Sequence, residues 1–139
     1  MLLDNHIIYN QCISFLKKDI NEIFENKLKF EVLNNDEKDH YISARYSFND
    51  LIIEIEAFHD LFDIIIRDRS NAFCHLSYEY KYDSILNINN LRNAITLLKQ
   101  MISNNCFPLY FKQNDKLYVK FNGSVKRIKH IGEYKNESN

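Results

Sequence analysis

The decisive stretch covers residues 41–82 and reads YISARYSF (41–48), ND (49–50), LIIEIEAF (51–58), HD (59–60), LFDIIIR (61–67), DRSNA (68–72) and FCHLSYEYKY (73–82). Apolar and polar residues alternate within the blocks, and Asn, Asp, His and Ser separate them. Successive side chains on a strand point to opposite faces, so this pattern predicts a β-meander with one apolar and one polar face. A two-residue loop at Asn49 and Asp50 pairs Phe48 with Leu51, Tyr46 with Ile53, Ala44 with Ile55 and Ile42 with Ala57, all apolar. The alternate pairs, Ser47 with Ile52, Arg45 with Glu54, Ser43 with Glu56 and Tyr41 with Phe58, then face the other way. A second such loop at His59 and Asp60 pairs Ala57 with Phe62, Ile55 with Ile64 and Ile53 with Ile66 inside. Outside, it sets Glu56 against Asp63 and Glu54 against Ile65.

In the last block Cys74, Leu76, Tyr78, Tyr80 and Tyr82 share the inward parity, which leaves Phe73, His75, Ser77, Glu79 and Lys81 outward, with His75 opposite Ile65. The expected outer rows are Ser43–Glu56–Asp63–Ser77 and Arg45–Glu54–Ile65–His75, flanked by Tyr41, Phe58, Leu61 and Glu79. Glu56 opposite Asp63 is a like-charge pair, which costs on the order of a few tenths of a kcal/mol on an exposed sheet. A cationic partner would remove that cost.

Upstream, Ile8, Cys12, Leu16, Ile20, Ile23 and Phe24 mark one face of a helix over about residues 4–26, followed by a short strand through Leu28, Phe30 and Val32 and a polar loop over residues 34–39. Downstream, Asn87 or Asn89 caps a second helix with the stripe Leu91, Ile95, Leu98 and Ile102, ending near residues 104–105. Pro108 follows, and residues 109–113 and 117–121 read as a hairpin turning at residues 114–116. The expected fold is α+β: an N-terminal helix, an antiparallel five-strand meander, a second helix and a C-terminal β-hairpin, with both helices on one face of the sheet. Residues 1–122 form the single domain. From Gly123 the apolar periodicity fades, and residues 123–139 read as a basic, weakly ordered tail.

A chain of 139 residues with 45% hydrophobic and 14% aromatic content has enough apolar material for one core without disulfides or metal. The only two glycines, Gly123 and Gly132, lie near the C-terminus, which excludes a Gly-rich phosphate-cradling loop upstream. Residues 1–109 carry 11 basic and 16 acidic side chains, and residues 110–139 carry 7 and 3. An acidic body disfavours nucleic-acid binding there and favours a basic partner. Cys12, Cys74 and Cys106 show no metal-ligand spacing, the first two fall on apolar faces as buried thiols, and an odd count suits a cytoplasmic protein. No signal peptide or membrane span is apparent, and no cofactor or metal is expected.

Two carboxylates with His75 could in principle serve acid–base chemistry or hold a hard cation. Catalysis favours a concave, water-restricted site, however, and these residues project from an open strand face, so no catalytic residue is assigned. An ordinary solvated sheet face is one alternative; a protein-binding surface, with aromatic anchors beside charged groups, is the other. Tyr41, Arg45, Glu54, Glu56, Phe58, Asp63, His75 and Glu79 are the candidate partner-binding residues. Lys126, Arg127, Lys129 and His130 could touch phosphates, and an exposed sheet edge could pair two copies of the chain.

The small size, helix-first antiparallel layout, acidic body and aromatic-studded open sheet resemble the immunity proteins that bacteria pair with polymorphic or contact-dependent toxins. The resemblance is architectural and covers about residues 4–121. It implies a non-enzymatic cytoplasmic inhibitor that occludes a basic toxin domain by charge complementarity. Glu54, Glu56, Asp63 and Glu79 would form its electrostatic part, and Tyr41 and Phe58 its apolar anchors. A phage-type anti-defence or regulatory protein using the same face, and a nucleic-acid-binding module using the basic tail, are the alternatives.

Overall fold

The computed structural model describes residues 5–105 and 107–137; Cys106 and Asp4 lie outside them. Helix α1 (Asn5–Ser14) runs into a π-helical turn, Phe15–Asp19, and finishes as α2 (Ile20–Ile23). Its apolar residues recur every fourth position, and four residues overshoot an α-helical turn by about 40° at each step. The wider π turn takes up that drift, so Cys12, Leu16, Ile20 and Phe24 are all buried. Within it, the buried Tyr46 hydroxyl donates to the Leu16 carbonyl at 2.5 Å. Glu25 and Asn26, with φ of 56° and 62°, end the helix. The Asn21 side chain then holds both the N–H and the carbonyl of Leu28, at 2.9 and 3.1 Å, and so aims the chain into the first strand.

The strands are β1 (Lys29–Asp36), β2 (Tyr41–Phe48), β3 (Leu51–Phe58), β4 (Leu61–Arg67), β5 (Phe73–His75), β6 (Leu109–Gln113), β7 (Lys116–Phe121) and β8 (Ser124–Ile128). They form one antiparallel sheet in sequential order, with α3 (Ile88–Ser103) between β5 and β6. The Asn87 side chain caps α3 by accepting from the Asn90 N–H at 2.8 Å. The registers of β2 with β3 and β3 with β4 are those expected, including Glu56 opposite Asp63. The turn between β3 and β4 needs no glycine: His59 and Asp60 both adopt left-handed φ, 50° and 70°, the geometry that suits a two-residue hairpin. His40 braces it, with Nδ1 2.6 Å from Asp60 Oδ1.

The expected five-strand meander with a separate C-terminal hairpin is corrected by this sheet. Phe73 of β5 pairs with Tyr110 of β6, so the C-terminal strands extend the meander rather than stand apart. An eighth strand, β8, occupies residues 124–128, where periodicity suggested a weakly ordered tail; four of its five residues are exposed and only Ile128 is buried, which hides it from an apolar pattern. β1 also runs on through residues 34–36, leaving a loop of residues 37–40, and it is bulged between Phe30 and Val32. The meander's last block does not stay extended. After His75 the chain winds into a 3₁₀ turn, Leu76–Tyr78, that sends Leu76 into the core.

The helices cover one face of the meander strands. Cys12, Phe15, Leu16, Ile20, Leu91, Ile95 and Leu98 share a buried cluster with Ile42, Tyr46, Ile53, Ile55, Ile64 and Ile66. A smaller cluster joins Cys74 to Tyr110, Val119 and Ile128, with Ile131 and Tyr134 packed on it. Side-chain contacts tie the halves across the single β5–β6 pairing. Lys120 Nζ lies 2.9 Å from Asp68 Oδ2, and the Tyr134 hydroxyl donates to Glu79 Oε1 at 2.7 Å. Cys12 and Cys74 are free and buried, and burial pushes both thiols up to about 12. No helix among the described residues is long and apolar enough to cross a membrane.

Candidate protein-binding face

The strand face opposite the helices is built by the alternation that buries Ile53, Ile55, Ile64 and Ile66. Glu54 and Glu56 on β3, and Asp63, Ile65 and Arg67 on β4, must then point outward. Glu54 is largely buried there, its side chain 16% exposed, because two arginines close over it: Arg67 Nε is hydrogen-bonded to Oε1, and Arg45 Nη2 lies 3.7 Å from Oε2. Arg67 also sits over the Phe73 ring, 5.8 Å from its centre. Beside this cluster, Asp63 accepts the Ile64 N–H at 2.9 Å and contacts His75 Nδ1 at 2.5 Å, with the Tyr82 hydroxyl at 3.5 Å. Burial, then the charge of Asp63 and its hydrogen bond, push the Tyr82 phenol up to about 12.

Glu56 stands apart from both clusters. It is exposed and has no hydrogen bond or ion pair among the described residues. Around it lie Tyr41, Phe58 and Leu61, which with Ala57, Phe62 and Asp63 line a shallow depression of about 330 Å³. Phe58 and Leu61 are opposite one another next to the His59–Asp60 turn, and Leu61 is bridged in turn to Ile85. Phe58, Leu61 and Ile85 are each more than half exposed, at 54%, 55% and 55%. The result is a contiguous apolar strip at one end of the face, bordered by a carboxylate with no local counter-ion.

Seven of the eight candidate residues therefore share this face: Tyr41, Arg45, Glu54, Glu56, Phe58, Asp63 and His75. Glu79 does not. Its expected place depended on β5 continuing past His75, and the 3₁₀ turn carries it away to Tyr134 and to Lys135, whose Nζ lies 3.2 Å from Glu79 Oε2. Ser77 likewise leaves the row that was to pair it with Asp63. Arg67 was missed, although the parity of β4 already turns it outward beside Asp63. Ile85 and Tyr82 reach the face only through the excursion after the 3₁₀ turn, which alternation does not encode.

The Asp63–His75 contact has the form of an acid–base pair, but neither side chain hydrogen-bonds a Ser or Cys side chain among the described residues. No group of three or more His, Cys, Asp or Glu side chains among them could hold a metal ion. The face is chemically suited to contact: partly buried ion pairs that fix side chains, one unneutralised carboxylate and a strip of apolar anchors. Compared with protein-family models, curated proteins and solved structures, this chain returns no match.

Proposed function

We propose that this chain is a non-enzymatic protein-binding inhibitor of the immunity type, which neutralises a cognate toxin by covering it with the face of β2, β3 and β4. The observation that carries the reading is the apolar strip of Tyr41, Phe58, Leu61 and Ile85 around the unpaired Glu56. Large apolar side chains held on rigid strands lose little conformational freedom on binding, and they are the residue types that dominate interface energetics. Glu56 supplies the charge selection. A basic residue placed against it would satisfy it and relieve its repulsion with Asp63.

Two arginines against Glu54, and His75 against Asp63, leave the face less acidic than its carboxylates alone suggest. Recognition is accordingly apolar at its centre, with Glu56 setting orientation. The test is co-expression with the product of the adjacent gene. A cytoplasmic inhibitor of this type forms a complex with that product and relieves its toxicity, and the Phe58→Ala/Leu61→Ala variant loses both effects while remaining folded. Absence of a complex and of protection overturns the reading.

A further inference from the structure

The three C-terminal strands present a second surface that the protein-binding face does not use. Pairing places Phe111, Tyr118 and Arg127 in one row across β6, β7 and β8, with Gln113 and Lys116 in the next row on the same side. The opposite side of these strands is the one buried by Ile131 and Tyr134. Phe111 and Tyr118 belong to neither core cluster. Both rings are half-exposed, and they stack on each other with centres 5.2 Å apart and planes 14° from parallel. A half-buried aromatic pair fixed on a sheet offers flat apolar area at the surface.

Lys116 and Arg127 stand on the same side of the sheet as that pair. An open depression of about 840 Å³ at the adjoining strand ends is lined by Lys116, Arg127 and Lys129 with Asp115 and Glu133, and it reaches round to Lys112 and Ile131 on the opposite side of the strands. These three lysines and Arg127 make no side-chain ion pair among the described residues. Glu133 accepts the Lys129 backbone N–H at 2.5 Å through Oε2 and, with Asp115, offsets part of the positive charge of the depression. Lys120, by contrast, is held by Asp68 and Ser70 at 2.9 and 2.7 Å and leans over the Phe111 ring. Lys116 and Arg127 beside a two-ring platform, with Lys129 at the strand end, match a ligand that alternates phosphates with flat bases.

The geometry points to a single-stranded nucleic acid bound across β6, β7 and β8, its bases stacked on Phe111 and Tyr118 and its phosphates on Lys116, Arg127 and Lys129. Duplex fits less well, because its bases are already stacked on one another and cannot reach the rings.

The test is fluorescence anisotropy of a labelled 12-nucleotide single strand with the full chain, alongside the same sequence as a duplex and with sodium tripolyphosphate as competitor. The single strand is expected to bind at least tenfold more tightly than the duplex. K116Q/R127Q/K129Q should weaken it at least tenfold and shallow the log–log salt dependence by about 0.7 for each phosphate that is no longer neutralised. Phe111→Leu and Tyr118→Leu should each weaken it by roughly tenfold without changing that slope. Unchanged binding by the triple variant overturns the proposal. So does equal affinity for duplex and single strand with both ring variants silent, which marks generic charge attraction, and so does full displacement by tripolyphosphate at the oligonucleotide's own concentration, which marks a site for free phosphate. The three exposed cations of the triple variant keep the test informative should a ring variant fail to fold.

Discussion

Glu56 and Asp63 stand directly opposite each other on neighbouring strands, and only Asp63 has a local partner: His75 Nδ1 lies 2.5 Å from its Oδ2, while Glu56 projects unpaired into solvent. This asymmetry separates stability from binding at one position. Glu56→Lys replaces a like-charge pair with an opposite one and is expected to raise unfolding stability by about 0.2–0.5 kcal/mol in urea titrations. The same change should weaken the complex with a basic partner by at least tenfold. Equal affinity for both forms would show that Glu56 takes no part in recognition.

Phe58 and Leu61 are each more than half exposed in the free protein, so their truncation should leave the fold intact. Phe58→Ala is expected to change unfolding stability by no more than about 0.5 kcal/mol, as for exposed positions generally. It should cost about 2 kcal/mol or more in binding, if Phe58 is an anchor filling a pocket on the partner. Calorimetric titration beside a urea melt measures both.

The π turn predicts a stability effect from one atom. Tyr46 is buried, its hydroxyl reaches the Leu16 carbonyl, and burial pushes its phenol above the ordinary value. Tyr46→Phe leaves that carbonyl without its partner and is expected to cost about 1–2 kcal/mol in urea unfolding. A cost near zero would mean that the hydroxyl does not satisfy the π turn.

Asp68 joins the two halves of the sheet and gives the protein an acid-sensitive staple. Partial burial alone would raise its pKa, but hydrogen bonds from Lys120, Ser70 and the Ala72 N–H, with the charge of Lys120, outweigh burial and hold the carboxyl below its usual value. A carboxyl depressed in the folded state adds stability above its unfolded pKa, and that contribution is lost as pH falls through the folded value. Stability should therefore decline as the pH drops below about 4, and Asp68→Asn should flatten that part of the profile. Thermal melts from pH 2 to pH 7 read the difference.

Legibility tracked how completely each strand buries one face. In β2, β3 and β4 every second residue is apolar and packed on the core, and a one-residue slip would exchange the whole set, so loops at Asn49–Asp50 and His59–Asp60 sufficed to place each pair. Tyr78, Tyr80 and Tyr82 keep strand-like alternation after the chain has left the sheet, which is why Glu79 was assigned to the wrong surface. β8 buries only Ile128, so periodicity passed over it, although Asn122–Gly123 is the strongest short hairpin signal in the chain and adopts left-handed φ at both positions. The outward turn of Arg67 was legible from parity. Its closure over Glu54 was not, because a side-chain ion pair depends on reach across strands rather than on pattern.

The most direct test of the central claim is hydrogen-exchange mapping of the chain with and without the adjacent gene's product. Binding through the β2–β4 face predicts protection concentrated at residues 41, 56–63 and 85, with β6, β7 and β8 unchanged. Protection confined to β6, β7 and β8, or to the exposed edge of β1, would contradict it.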